Sequence, residues 1–240
     1  MYEALVAAVA VVAGGVAAIA GFGIGSLLTP VLSISLGTKL AVAVISIPHF
    51  SGTALRLWRL RGEVNRRVLL GFGIASAAGG LMGALFHSRA GSSTLAVVFG
   101  LLLLLAGASE LTGLARRVRL GSAAAWIAGG LSGAFGGLVG NQGGIRSAAL
   151  LGFELSRHAF VATATAIALA VDLARMPVYF ATQGPAILGR WPLLGITVAG
   201  VVTGTLLGER VLGRIPERVF RLVVATLILG LGLYMIARGF

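Results

Sequence analysis

The 240-residue chain is 58% hydrophobic and only 11% charged, yet its formal net charge is +12; its mean hydropathy is +1.00. A soluble domain carries about 25% charged residues, so the composition excludes a water-soluble globule and describes an integral membrane protein. The lack of cysteine excludes disulfides, thiolate catalysis and thiol relay.

The apolar runs are long and continuous, so the expected fold class is all-α and polytopic. A barrel would instead alternate polarity in segments of about 10 residues. The first run, about 4–20, follows a start without a basic region, so it is expected to stay as a span and not to be cleaved. Further runs lie at about 38–58, 67–88, 92–111, 121–139, 157–180, 187–208 and 216–237. Each is close to the ~20 residues that a helix needs to cross the hydrocarbon core. The expectation is about eight transmembrane helices.

Two shorter runs, about 22–36 and 142–155, follow glycine breaks. A run of about 15 residues reaches roughly 22 Å as a helix, short of the ~30 Å core. Both read as half-helices or re-entrant segments, which are tolerated at membrane depth only inside protein or beside a wet cavity. Eight spans with re-entrant short runs would put both termini inside and make the halves parallel. Ten crossings would invert the halves and put both termini outside. The eight-span arrangement is the expectation taken forward.

The order of features occurs twice: long run, glycine break, short run, three long runs. At an offset of 119, Gly21 matches Gly140, Gly25 matches Gly144, Leu32 matches Leu151 and Arg56 matches Arg175. At 121, Phe99 and Leu101 match Phe220 and Leu222. Two duplicated halves follow, residues 1–119 and 120–240, within one membrane domain. Paired broken segments in internal repeats are a transporter signature. Glycines at single helix faces, Gly79, Gly80 and Gly83 and again Gly200 and Gly204, read as close-packing positions.

The positive charge is arginine but for Lys39, and it clusters at span ends. That fits cytoplasmic loops better than nucleic-acid binding. Loops 56–67 and 112–120 are the most basic and are expected on the cytoplasmic side, with Arg56 opening the first as a topology anchor. Trp58, Trp126 and Trp191 read as interface anchors.

The polar breaks carry the chemistry. An anion leaving water needs replacement donors, and a helix N-terminus offers free N–H groups and partial positive charge. The first break offers Gly23, Gly25 and Ser26; the second offers Asn141, Gln142, Gly143, Gly144 and Arg146. The bland alternative is a pair of glycine kinks. Arg146 is either an oxyanion ligand through paired donors or a snorkelling side chain. Asp172 and Arg175, three apart on one helix, read first as a structural ion pair near the helix end and second as a coupling site. His49, after Pro48, reads as a partner of kinked backbone, with proton shuttling as the other reading. Thr163 and Thr165 are candidates for lining the same path. No nucleophile–base pair, carboxylate dyad or metal-ligand spacing stands out, and His49, His87 and His158 are scattered. No enzyme activity, metal or cofactor is expected.

These motifs resemble those of the sulfite exporter TauE/SafE family, also called toluene-sulfonate uptake permeases. The resemblance rests on size, on duplicated four-span halves and on a glycine-rich motif after the first helix of each half. The motif is roughly Gly-x-Gly-Gly-Gly, then apolar residues, then Pro-x-Leu. The first copy, Gly21 to Leu32, keeps Pro30 and Leu32 but has Ile24 within the glycines. The second, Gly140 to Leu151, keeps Gly143 and Gly144, adds Asn141 and Gln142, lacks the proline and carries Arg146. The resemblance implies an inner-membrane transporter of sulfite or organosulfonates, expected to export by alternating access around the two breaks. Its partners would be a small anion, the lipid bilayer, a proton gradient or membrane potential, and a second copy in a homo-oligomer. A passive anion channel, or a permease for another small solute, are the alternatives.

Overall fold

The computed structural model describes residues 1–113, 122–212 and 214–239. It is helical throughout these residues, with no strand among them. The helices are α1 (Tyr2–Ala20), α2 (Ile24–Leu60), α3 (Arg66–Arg89), α4 (Ser92–Thr112), α5 (Ser122–Val139), α6 (Gly143–Leu150), α7 (Arg157–Leu188), α8 (Trp191–Leu212) and α9 (Glu217–Gly239). Loop arginines Arg116, Arg117 and Arg119, and the expected boundary between the halves at 119/120, lie outside the described residues.

Among the described residues, seven helices are long and apolar enough to cross a membrane, and Ala124–Val139 is a shorter apolar helix. That count takes Ile24–Glu63 as one element. Gly37 divides it with φ 72° and ψ 156°, so the expected short run and the span from about 38 are its two parts. Large apolar side chains such as Ile74, Leu85, Phe86, Leu105, Ile127 and Leu233 face outward, while Ser46, Thr53, Arg56, Thr165 and Asp172 are buried. A soluble core has the opposite arrangement; the protein is a polytopic helical membrane protein.

Helix pairs close through glycine. On α1 and α8, a Cβ at Gly14 would fall 2.3 Å from the Val201 carbonyl oxygen, and one at Gly204 2.0 Å from that of Val11. On α3 and α5, Cβ atoms at Gly79 and Gly83 would fall 2.0 Å from the carbonyl oxygens of Gly130 and Ala134. Small residues give this backbone approach where no hydrophobic effect drives helices together. The third long pair is α4 with α9, where Gly100 meets the Gly232 carbonyl.

The path of the chain departs from the eight-span arrangement. The Tyr2 hydroxyl donates to the Val31 carbonyl at 3.2 Å and accepts from Ser35 Oγ at 2.7 Å, so the first part of α2 runs back along α1. Residue 38 therefore lies at the same end as Tyr2, where eight spans would put it at the other. Lys39 Nζ donates to the Ser88 carbonyl at 2.7 Å, and Arg238 Nη2 to the Ser33 carbonyl at 3.4 Å. Both ends of the chain thus meet at one end of the bundle, here the terminal end. The turn at Arg61–Glu63, the start of α7 and the α4–α9 side of Glu110 and Arg221 form the arginine-rich end. In the second half, α6 also turns back on α5: Ala149 and Leu150 cluster with Phe72, beside Ala128. The chain can make these returns because each pair of helices is joined by only three residues, the first a glycine in the left-handed region.

Candidate functional site

Helix α1 stops at Gly21 (φ 77°), whose N–H donates to the Ala17 carbonyl at 3.0 Å. Helix α5 stops at Gly140 (φ 76°), whose N–H donates to the Gly136 carbonyl at 2.9 Å. Only glycine takes this conformation without steric cost. The chain then re-enters helix at Ile24 and Gly143, so each break has a helix C-terminus beside a helix N-terminus.

The two breaks touch. A Cβ at Gly25 would lie 2.4 Å from the Gly140 carbonyl oxygen, and one at Gly143 2.4 Å from Phe22 Cβ. Ser26 Oγ donates to Asn141 Oδ1 at 3.4 Å, and Arg146 Nη2 to the Gly21 carbonyl at 3.1 Å. Gly25, Ser26, Asn141, Gly143 and Arg146 are therefore gathered at one crossing. Gly23 packs on Val16, and the Gln142 carbonyl accepts from Ser132 Oγ at 3.1 Å. Gly144, the next residue, faces Ala106 of α4.

Arg146 is 2% exposed and does not snorkel. Its Nε and Nη1, and Gln142 Oε1, are buried without a hydrogen-bond partner. Unmet donors on a buried guanidinium cost more than almost any other unsatisfied group, so this is the energetically anomalous point of the interior.

Beside it runs a chain of polar side chains. His49 Nδ1 lies 2.6 Å from Asp172 Oδ2; Asp172 Oδ1 accepts from Arg175 Nε at 2.9 Å, with Nη2 at 2.8 Å. Arg175 Nη1 donates to the Gly136 carbonyl at 2.7 Å. Three expectations are corrected here. The Asp172–Arg175 pair exists but is fully buried in mid-helix, not near the helix end. The partner of His49 is a carboxylate 123 positions away, not kinked backbone. Arg56 is no loop anchor: it is 4% exposed, and donates from Nε to Thr165 Oγ1 at 2.8 Å and from Nη1 to the Ala17 carbonyl at 2.7 Å. Arg56 and Arg175 thus play one role twice, each holding the carbonyl four residues before a left-handed glycine. Its match to Arg175 was the signal in the sequence. Thr165 belongs to this network. Thr163 accepts from the Asn65 N–H at 2.9 Å, toward the arginine-rich end.

Two further side chains escaped the sequence. The Tyr179 hydroxyl donates to the Gly137 carbonyl, and His87 Nδ1 to that of Leu138 at 2.8 Å. With Arg175 on Gly136, the last turn of α5 is held at three successive carbonyls by α3 and α7. A cavity of about 460 Å³ opens at the arginine-rich end. It reaches Ile19, Ala20 and Phe22 at the first break and Ser147 beside Arg146, and the Glu110–Arg221 ion pair borders it.

A polytopic membrane bundle in which two broken helices cross is an architecture that membrane transporters use. The chain belongs to the sulfite exporter TauE/SafE family, whose model it matches over residues 6–235. The family is one of membrane transporters for sulfite and sulfonates. No curated protein and no solved structure gives a significant match.

Proposed function

We propose that the protein exports a small sulfur oxyanion, sulfite or an organosulfonate, across the bacterial-type cytoplasmic membrane by alternating access around the crossing of the two breaks. The observation that carries this reading is Arg146, buried at the crossing with two donors unmet. An oxyanion satisfies both at once. The N-termini of α2 and α6 add backbone N–H donors beside it.

The duplication into 1–119 and 120–240 is part of the proposal, with the halves inverted. Exchanging them turns the α1–α8 pair into the α5–α3 pair and leaves α4–α9 unchanged, in keeping with the observed packing. The arginine-rich end is then cytoplasmic and both termini are outside. Inversion also supports alternating access. Ser147, Leu151, Phe160 and Val161 line the cavity. The residues matched to them, Leu28, Leu32, Ala41 and Val42, are fully buried at the terminal end. One set of positions is open and its counterpart closed, which is what one state of a two-state carrier requires. An inside-negative potential favours export by ~2.3 kcal/mol per charge per 100 mV; His49 and Asp172 are where a coupling proton would be carried.

The test is uptake into proteoliposomes of labelled sulfite, sulfoacetate and sulfate, with and without pH and voltage gradients. Counterflow is expected; currents without saturation would indicate a channel, and no movement of any anion would overturn the proposal. Arg146→Met is expected to weaken anion affinity by at least about tenfold, since charge-assisted hydrogen bonds contribute about 1.5–3 kcal/mol. The same variant removes two unmet buried donors, so its unfolding temperature in detergent should match or exceed that of the unaltered protein. Unchanged affinity would remove Arg146 from the site.

A further inference from the structure

The buried charges do not balance. Among the residues whose side chains the structure describes, the fully buried groups with a permanent charge are Arg56, Arg146, Arg175 and Asp172. Asp172 is held by Arg175 through two contacts, which leaves Arg56 and Arg146. Neither has a carboxylate hydrogen-bonded to it: Arg56 bonds Thr165 Oγ1 and the Ala17 carbonyl, and Arg146 bonds the Gly21 carbonyl. Both therefore sit at the C-terminal end of α1, close enough to act on each other electrostatically, and both feel the single charge of Asp172, which offsets only one of the three arginines.

The helix ends do not absorb this excess. The C-termini of α1 and α5 each contribute about −0.5 charge, and the N-termini of α2 and α6 about +0.5 each. The four cancel. The centre keeps a formal charge of +2, and a proton on His49 would only add to it. Uncompensated charge in a low-dielectric interior is strongly unfavourable, and a monoanion would leave half of it in place.

We propose that the ion bound at the crossing is a dianion, and that Arg56, with Arg146, sets this charge selectivity. The inference rests on the anion-transport reading above and narrows it. A doubly charged inorganic oxyanion, or a sulfonate bearing a second acid group, fits; a singly charged organosulfonate does not. Arg56 acts here as a specificity-determining residue, absent from the set of residues expected from the sequence.

Permanent charges of similar shape give the test. The purified full chain is titrated calorimetrically with sulfate and thiosulfate, and with methanesulfonate and nitrate. At least one dianion is expected to bind ten times or more tighter than either monoanion. Arg56→Gln should bring that ratio within about threefold of unity, while Arg56→Lys keeps it. A monoanion bound as tightly as the dianions by the unaltered protein would overturn the inference and leave anion transport standing, and this comparison needs no variant to fold. A ratio unchanged in a folded Arg56→Gln protein would remove Arg56 from the selectivity. If none of the four anions, nor sulfite, binds, the anion reading itself fails.

Discussion

Asp172→Asn is expected to destabilise the protein by about 3–5 kcal/mol, the range for removing one partner of a buried ion pair. The carboxylate is fully buried and is the acceptor for both His49 and Arg175. Without it a third arginine joins Arg56 and Arg146 as uncompensated charge. The readout is thermal unfolding in detergent alongside the yield of monodisperse protein; an unchanged midpoint would show that Arg175 is neutralised by another route. Replacing the pair together, Asp172→Leu with Arg175→Met, should recover most of the stability. The Gly136 carbonyl would lose its guanidinium donor but keep the Gly140 N–H at 2.9 Å. Transport should remain lost in the double variant, which separates the folding role of the pair from a role in transport.

The second large effect is expected at a backbone seam. A Cβ at Gly137 would stand 1.9 Å from the Gly80 carbonyl oxygen, and one at Gly133 1.8 Å from that of Ser76. Neither obstacle is a flexible side-chain tip, so α3 and α5 must separate along their length. Gly137→Ala is expected to cost about 3 kcal/mol, the upper end for overpacking, and Gly137→Val to abolish folded protein. Gly195→Ala and Gly230→Ala, where nothing lies within 4 Å, should shift stability by no more than about 0.5 kcal/mol. Size-exclusion profiles over a temperature series distinguish these sets. Equal behaviour of Gly137→Ala and Gly195→Ala would refute the seam.

The α3 side of the seam, at Gly79, Gly80 and Gly83, and both breaks were legible in the sequence because each rests on local chemistry: glycine repeated on one helix face, or polar residues within an apolar chain. The path of the chain was not. A run of about 15 apolar residues reads as too short to cross, and only the Tyr2 contacts with Val31 and Ser35 reveal that it returns to its starting end. Arg56 misled for a related reason. It adjoins a basic loop, and charge density does not say which arginine turns inward; a partner 109 positions away, Thr165, decides that. The Asp172–His49 contact spans 123 positions and is likewise a product of tertiary packing. Asn141 and Arg146 were recognisable as anomalies, whereas the side-chain hold on the last turn of α5 needed three elements to converge.

The pairing of α1 with α8 has a consequence for biosynthesis. Helix α5 emerges after its seam partner α3 and can dock at once. Helix α1 is made first, yet its partner α8 begins at Trp191. Through most of translation the glycine face of α1 has no mate, and the lipid around it must fill the gap. The packing of the nascent chain thus remains incomplete until its final two helices insert. The same pairing leaves α1 without its packing partner in any product that ends before α8.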